Sequence, residues 1–211
     1  MSNAKPDTPQ KPIAAALAGP AGTVTLGPIR VAYPHLLKAR TSVFNGVEKT
    51  RFEATILIPK DQPGEVDKAR AAIKAAFVHK FGSEAKLAKD KQPLKDGDAS
   101  TTDDGDDAGK YPGYFYANVN AFPDNPPQLR HADKSVLTDP GAMKSGDWIY
   151  ALVKPRAYAF ENTKGVAFDI LGARMVRKGD PIGSGTVDKG AVADALDGLD
   201  IEVETADDEA F

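Results

Sequence analysis

The chain has 211 residues, of which 41% are hydrophobic and 27% charged, values ordinary for one soluble globular domain with appended segments. It has no apolar run near the roughly 20 residues that cross a bilayer and no signal-peptide pattern at its start, so we expect a cytoplasmic protein that does not enter a membrane. The absence of cysteine excludes disulfides, thiolate zinc sites and cysteine nucleophiles.

Charge is distributed unevenly along the chain. Residues 188–211 contain nine acidic residues and one lysine, a net charge of −8, whereas residues 1–187 contain 26 basic and 21 acidic residues, a net charge of +5. The C-terminal segment is too acidic and too poor in aromatic residues to form a core, so we predict a disordered acidic tail over residues 188–211. The polar, proline-rich residues 1–20 are predicted to form a disordered arm, which leaves residues 21–187 as the folded domain.

The first predicted strand covers residues 23–33, which are rich in β-branched and aromatic residues. Gly27 and Pro28 interrupt this run, and such an interruption inside a strand indicates a bend or a bulge.

A β-hairpin follows. The pair Asn45-Gly46 separates two strand-like runs, residues 38–44 and 47–58, and this pair is a strong hairpin signal. Alternation along both strands predicts one apolar face and one basic face. The basic face either contacts a ligand or is an ordinary solvated surface of the sheet. Its basic residues are Lys38, Arg40, Lys49 and Arg51.

Residues 65–81 predict an amphipathic helix that ends at Gly82, because apolar residues recur there at helical spacing. Those residues are Val66, Ala69, Ile73, Ala76, Phe77 and Phe81. A shorter helix is expected over residues 83–91. The six aspartates of residues 96–107, separated by Gly, Ser and Thr, predict a mobile acidic loop.

Residues 113–122 form the most informative predicted strand, because their two faces differ in chemistry. One face is apolar and is expected to enter the core: Phe115, Ala117, Val119 and Ala121. The other joins aromatic rings to amides and is expected to form an exposed platform: Tyr114, Tyr116, Asn118 and Asn120.

Two long strands, residues 147–160 and 166–179, close the domain after a connection rich in Pro, Asn and Asp. Alternation in the first of them separates an apolar face from a second face, which holds Trp148, Tyr150, Leu152 and Lys154. We expect Trp148 to fill one end of the core.

The order of these elements is three strands, a helix, a long loop and three further strands. A mainly β fold, an OB-fold-like Greek-key barrel with an inserted amphipathic helix and disordered termini, satisfies this order and closes the sheet edges. An immunoglobulin-like sandwich is the weaker alternative.

Catalysis is not expected, and neither is a cofactor or a metal ion. The histidines His35, His79 and His131 lie in three separate segments without metal-ligand spacing. Asp96 and Asp98 begin a D-x-D pattern, but Ser100 and Thr101 replace the acid and the glycine that a calcium loop needs next. No nucleophile elbow or phosphate-binding glycine loop is present.

Aromatic side chains interleaved with Lys and Arg on strands instead suit single-stranded nucleic acid, because unpaired bases offer rings for stacking and phosphates for cations. The candidate binding residues are Lys38, Arg40, Lys49, Arg51, Tyr114, Tyr116, Asn118, Tyr150, Lys154 and Arg156. These features do not distinguish DNA from RNA. A virion or scaffold protein with a solubilising tail is a further alternative.

Four segments carry a family resemblance: RVAYPHL, YPGYFYANVNAF, SGDWIYALVKPRAYAF and GVAFDILGARMVRKGDPIG. They resemble the phage single-stranded DNA-binding proteins of an OB-fold family long catalogued as a domain of unknown function. The resemblance implies sequence-independent binding of single-stranded DNA during phage replication and recombination, in the host cytoplasm.

An acidic tail that ends in Phe is also shared with bacterial and phage proteins of this function, where it docks replication proteins and competes with DNA. The matching residues here are Asp207, Asp208, Glu209 and Phe211, although Ala210 stands where bacterial tails usually have proline. The acidic loop is more anionic than expected of the family. The oligomeric state is left open, a homo-oligomer included.

Overall fold

The computed structural model describes residues 22–44, 46–99 and 110–182. These residues form seven strands and one α-helix: β1 (Val24–Phe44), β2 (Val47–Pro59), α1 (Pro63–Phe81), β3 (Lys95–Asp96), β4 (Tyr114–Ala121), β5 (Gln128–Arg130), β6 (Trp148–Phe160) and β7 (Thr163–Arg177). The predicted N-terminal arm, the acidic tail and the centre of the acidic loop lie outside the described residues. None of the helices in the described part has the length and apolar character that a membrane crossing needs.

Five strands close into a barrel. β1 pairs with both β2 and β6, β2 with β4, and β6 with β7, all antiparallel. The ring closes where β4 and β7 pair in parallel, with Val119 opposite Phe168. This single closed sheet confirms the predicted mainly β, OB-fold-like barrel and replaces the sandwich alternative.

The bend predicted in the first strand is present as an irregularity of register between Leu26 and Ile29 in the β1–β6 pairing. Gly27 has a φ of 145°, and a Cβ atom there would lie 2.7 Å from Cδ1 of Tyr150. A glycine at this position therefore lets β1 turn from one neighbour to the other while its backbone touches the ring of Tyr150.

The predicted amphipathic helix is present as α1, and it completes the core. Its buried residues Val66, Ala69, Ile73 and Phe77 pack with the inward side chains of the barrel strands. Two contacts fix its ends, because Glu65 Oε2 accepts a hydrogen bond of 2.9 Å from the Gly27 amide and Lys80 Nζ donates one of 3.0 Å to the Ala157 carbonyl.

The prediction of a short second helix is wrong, since residues 83–91 contain only one 3₁₀ turn, Lys89–Lys91. Ala85 and Leu87, two residues apart, both pack against the core. Side chains two residues apart share a side of the chain when it is extended, whereas a helix would turn them in different directions.

Candidate nucleic-acid interface

The outer surface of β2 and β4 is built from facing pairs of polar residues. Glu53 lies opposite Asn120 and Thr55 opposite Asn118, while the residues between them face the core. The Thr55 hydroxyl donates a hydrogen bond of 3.0 Å to Asn118 Oδ1, and Asn118 is exposed. The polar part of the predicted platform therefore exists, with Asn118 at its centre.

The hairpin of β1 and β2 extends this surface and carries the predicted basic face. Arg40 lies directly opposite Arg51, and Lys49 follows on the same side of β2. Arg40 forms a 3.4 Å ion pair with Glu53, but both side chains are solvated, so this pair is weak. Lys38, two residues before Arg40, is also exposed.

An exposed aromatic ring sits beside these cations. Phe122, directly after β4, is 48% exposed, and the Arg51 guanidinium lies over its ring at 5.1 Å from the centroid. Sequence reasoning missed this residue, although Phe122 continues the same alternation as Asn118 and Asn120. We define the basic platform as Arg40, Lys49, Arg51, Asn118 and Phe122.

The exposed position predicted for Tyr116 is wrong. Its side chain is 3% exposed and packs with Ala32, Leu57 and Tyr111 in a small cluster on the outside of the barrel. The rings of Tyr111 and Tyr116 lie 5.2 Å apart. Ile182, beyond the last strand, covers the cluster, so a position that alternation places outward is nevertheless buried.

Tyr114 is half-buried, because its ring packs against this cluster, and it is a hydrogen-bond partner of Arg30. Arg30 Nη1 donates a hydrogen bond of 3.3 Å to the Tyr114 hydroxyl, and Arg30 Nε donates one of 3.0 Å to the Gly146 carbonyl. Arg30 also donates from Nη2 to the Asp180 carbonyl. These contacts fix the Tyr114 ring at the edge of the surface.

The expectation that Trp148 fills the core is also wrong. Ile149 points into the barrel, so its neighbour Trp148 points outward and is half-buried. It lies opposite Arg30 on β1 and Arg177 on β7, and their guanidinium groups lie 5.7 and 4.4 Å from its ring. Cation–π contacts hold this tryptophan on the surface.

Residues 178–182, which we call the C-terminal strap, cross the outer face after β7. Lys178 Nζ lies 3.1 Å from Asp147 Oδ2, and the Gly179 amide donates a 3.4 Å hydrogen bond to Asp147 Oδ1. The Ser145 hydroxyl donates to the Ile182 carbonyl. The described chain thus ends beside Tyr116, on the outer face of β2 and β4.

The remaining predicted residues lie on another part of the barrel. Tyr150, which is 41% exposed, and Lys154 are on the outer face of β6. Arg156 forms two hydrogen bonds to Asp169, of 2.8 and 3.1 Å, and this carboxylate raises the pKa of Arg156. The predicted site is therefore divided between two surfaces.

Part of the predicted mobile acidic loop is fixed. Lys60 Nζ binds the carboxylates of Asp96 and Asp98, the second at 2.7 Å, and Asp98 Oδ1 accepts a 2.6 Å hydrogen bond from the Gly113 amide. Hydrogen bonds from Lys60 hold the pKa of both carboxyls below the usual value. No group of acidic residues and histidines suited to a metal ion occurs in the described residues.

Comparison with known protein families gives a match that covers most of the sequence. The profile of the family described as "Enterobacter phage Enc34, ssDNA-binding protein" matches residues 22–207, most of the chain. The chain belongs to this family. No curated protein sequence matches it.

Solved structures agree in fold. The single-stranded DNA-binding protein of bacteriophage Enc34 in complex with ssDNA is 20% identical, with a TM-score of 0.64 over 78% of this chain and 91% of that chain. Gp2.5, the single-stranded DNA-binding protein encoded by bacteriophage T7, is 12% identical, with a TM-score of 0.50 over 79% of this chain and 96% of that chain. At these identities the likeness shows the fold alone.

Replacing Tyr116 by alanine should lower the free energy of unfolding by about 3 kcal/mol, because it empties the centre of a packed cluster. Urea unfolding followed by circular dichroism measures this change. Asn118→Ala on the same strand is the control and should cost about 1 kcal/mol, for one partly buried hydrogen bond to Thr55. Equal stability of Tyr116→Ala and wild type would show that this ring is not packed.

The Lys60 contacts predict a pH-dependent stability difference. Because the folded-state pKa of Asp98 is lowered from 3.8, its contribution is present at neutral pH and is lost as the pH falls through the folded-state value. Asp98→Asn should therefore lower the urea midpoint at pH 7, and the difference from wild type should shrink as the pH falls below 3.8 and vanish once the pH is below the folded-state pKa. A difference independent of pH, or an equal loss for the exposed control Asp124→Asn, contradicts this assignment.

Proposed function

We propose that this protein binds single-stranded DNA without reading its sequence, through the basic platform on the outer face of β2, β4 and the β1–β2 hairpin. The observation that carries the proposal is that Arg40, Lys49, Arg51, Phe122 and Asn118 share one outer face, with the Arg51 guanidinium over the Phe122 ring. Family membership supports single-stranded DNA as the ligand. The barrel supports the location on β2 and β4, since OB-folds bind oligonucleotides on the face of their second and third barrel strands.

The chemistry of the platform suits an unpaired strand. Guanidinium and ammonium groups neutralise phosphates and release counterions, while an exposed ring offers a stacking surface to any base. Arg51 joins both functions, because stacking over Phe122 leaves the edge of its guanidinium open to meet a phosphate. Backbone and ring contacts of this kind carry no base identity, so binding should be independent of sequence.

Two predicted residues take other roles in this proposal. Tyr116 supports the surface from below, because its ring is buried. Tyr114 orients Arg30 at the edge of the platform and offers one partly exposed side of its ring. We propose binding and not catalysis as the function, since family membership points to single-stranded DNA.

The acidic tail is proposed to recruit replication or recombination proteins through Asp207, Asp208, Glu209 and Phe211, which lie outside the described residues. The C-terminal strap supports a second role for the tail. It ends at Ile182 on the outer face of β2 and β4, beside Tyr116, and the tail begins six residues later in the sequence. Its net charge of −8 would then compete with DNA phosphates for the same cations.

Two substitutions separate the stacking and electrostatic parts of binding. Phe122→Ala should weaken binding to oligo-dT by about 1–3 kcal/mol without altering the dependence on salt. Arg51→Ala should lower the slope of log K against log salt by about 0.7, because one phosphate is then no longer neutralised by the protein. Fluorescence anisotropy over a salt series, with oligo-rU and duplex DNA for comparison, measures both effects.

The control for these variants is Lys86→Ala, which removes an exposed charge far along the chain from the platform. Wild-type affinity in Phe122→Ala together with an unchanged salt slope in Arg51→Ala would remove this surface from the binding site. Equal affinity for oligo-dT and duplex DNA would contradict the preference for a single strand.

The two roles of the tail predict different effects of two truncations. Deletion of residues 188–211 should raise affinity for oligo-dT, most strongly at low salt, because it removes a competing anion. Deletion of Phe211 alone should leave DNA affinity unchanged and reduce the recovery of DNA polymerase in pull-downs from phage-infected cells. Unchanged DNA affinity of the long deletion at low salt disproves competition, and full polymerase recovery without Phe211 disproves recruitment.

A further inference from the structure

A second group of arginines lies on the outer face of β5, β7 and β6. Arg130 is opposite Arg174 in the parallel pairing of β5 and β7, and Arg174 is opposite Tyr150 in the antiparallel pairing of β7 and β6. Their neighbours Leu129 and Ala173 are buried, so the arginines point outward. Arg177, three residues beyond Arg174, lies over Trp148. We call Arg130, Arg174, Arg177 and Tyr150 the arginine row.

Among the described residues, the arginine row has no ion-pair partner. Within the part of the chain that the structure describes, no carboxylate forms an ion pair with any of the three arginines. Arg130 and Arg174 instead donate hydrogen bonds to the backbone carbonyls of Lys134 and Ala132. Two guanidinium groups at paired positions of neighbouring strands repel each other. A bound polyanion would remove that repulsion.

The row also presents an aromatic ring. Tyr150 is 41% exposed, and one side of its ring lies against the backbone of Gly27, where a Cβ atom would come within 2.7 Å. The β1 bulge therefore holds the ring in place beside Arg174 while much of it stays open to solvent. A ring fixed next to a guanidinium can stack on a base while the guanidinium binds the phosphate of that nucleotide.

The arginine row is separate from the basic platform. Between them lie Trp148, which is held by Arg30 and Arg177, and the C-terminal strap. Arg30 is occupied by the carbonyls of Gly146 and Asp180 and by the Tyr114 hydroxyl. Two cationic surfaces with exposed rings thus lie on either side of a region in which the guanidinium of Arg30 already binds other groups of the protein.

We propose that the arginine row is a second binding surface for single-stranded DNA, which contacts nucleotides that extend past the basic platform around the barrel. This inference rests on the proposed function. Lys154 lies at its margin, opposite Asp169, and Arg156 is tied to that same carboxylate, so neither is central to it. The exposed ring favours a nucleic acid over an acidic protein, for which charge alone would suffice.

Oligonucleotide length tests the proposal. Binding of oligo-dT of about 6 and about 25 nucleotides would be measured by anisotropy over a salt series, since one OB-fold covers about 4–16 nucleotides. The variants are Arg130→Ala/Arg174→Ala and, separately, Tyr150→Ala. The control Lys86→Ala/Lys89→Ala removes the same charge from an exposed segment elsewhere.

We expect the double arginine variant to bind the long oligonucleotide about tenfold more weakly, with a salt slope reduced by about 1.4 for two phosphate contacts, and the short one as wild type does. Tyr150→Ala should weaken only long-oligonucleotide binding and keep the salt slope. Thermal melting of each variant establishes that the fold is intact.

Three results would overturn the inference: wild-type binding of the long oligonucleotide by the variants, an equal loss of affinity for both lengths, or an equal loss of affinity in the lysine control. A shift in oligomeric state by analytical ultracentrifugation, with DNA binding unaltered, would instead assign the row to the acidic tail of a second copy. Failure of the wild-type protein to bind either oligonucleotide would contradict the proposed function itself.

Discussion

The parallel pairing of β4 with β7 is the constraint on which the rest of the structure depends. It closes the ring of five barrel strands at Val119 and Phe168 and so gives every barrel strand an inside and an outside. Because no barrel strand is left as a free edge, the apolar residues of five strands and of α1 form one core. Polar and basic residues at alternate positions are then necessarily presented on the outer surface.

Arg30 organises that outer surface. It lies opposite Leu57 on β2 and Trp148 on β6, so one residue of β1 borders both halves of the barrel. Its guanidinium contacts Tyr114, the tryptophan ring and the C-terminal strap. An arginine can make these contacts together because its planar group donates in several directions and also stacks. The strap is thereby held across the middle of the surface.

This arrangement relates the binding surfaces to the tail. The basic platform and the arginine row lie on opposite sides of the strap, and the acidic tail, residues 188–211, begins six residues after Ile182 in the sequence. Under the proposed function, a strand that reached both surfaces would pass over the strap, which ends at Ile182. Competition between the tail and DNA, as proposed above, would then affect binding at both surfaces.

Local sequence patterns were sufficient to predict much of the secondary structure of this protein. Alternation in β4, the Asn45-Gly46 pair and the helical spacing before Gly82 predicted the elements, because each reflects the geometry of a few neighbouring residues. Tertiary structure alone decided that Tyr116 is buried, since alternation says which side of a strand a residue faces but not which distant segment covers that side. It also brought Arg130 and Arg174 together, because residues 44 positions apart become neighbours only when their strands pair.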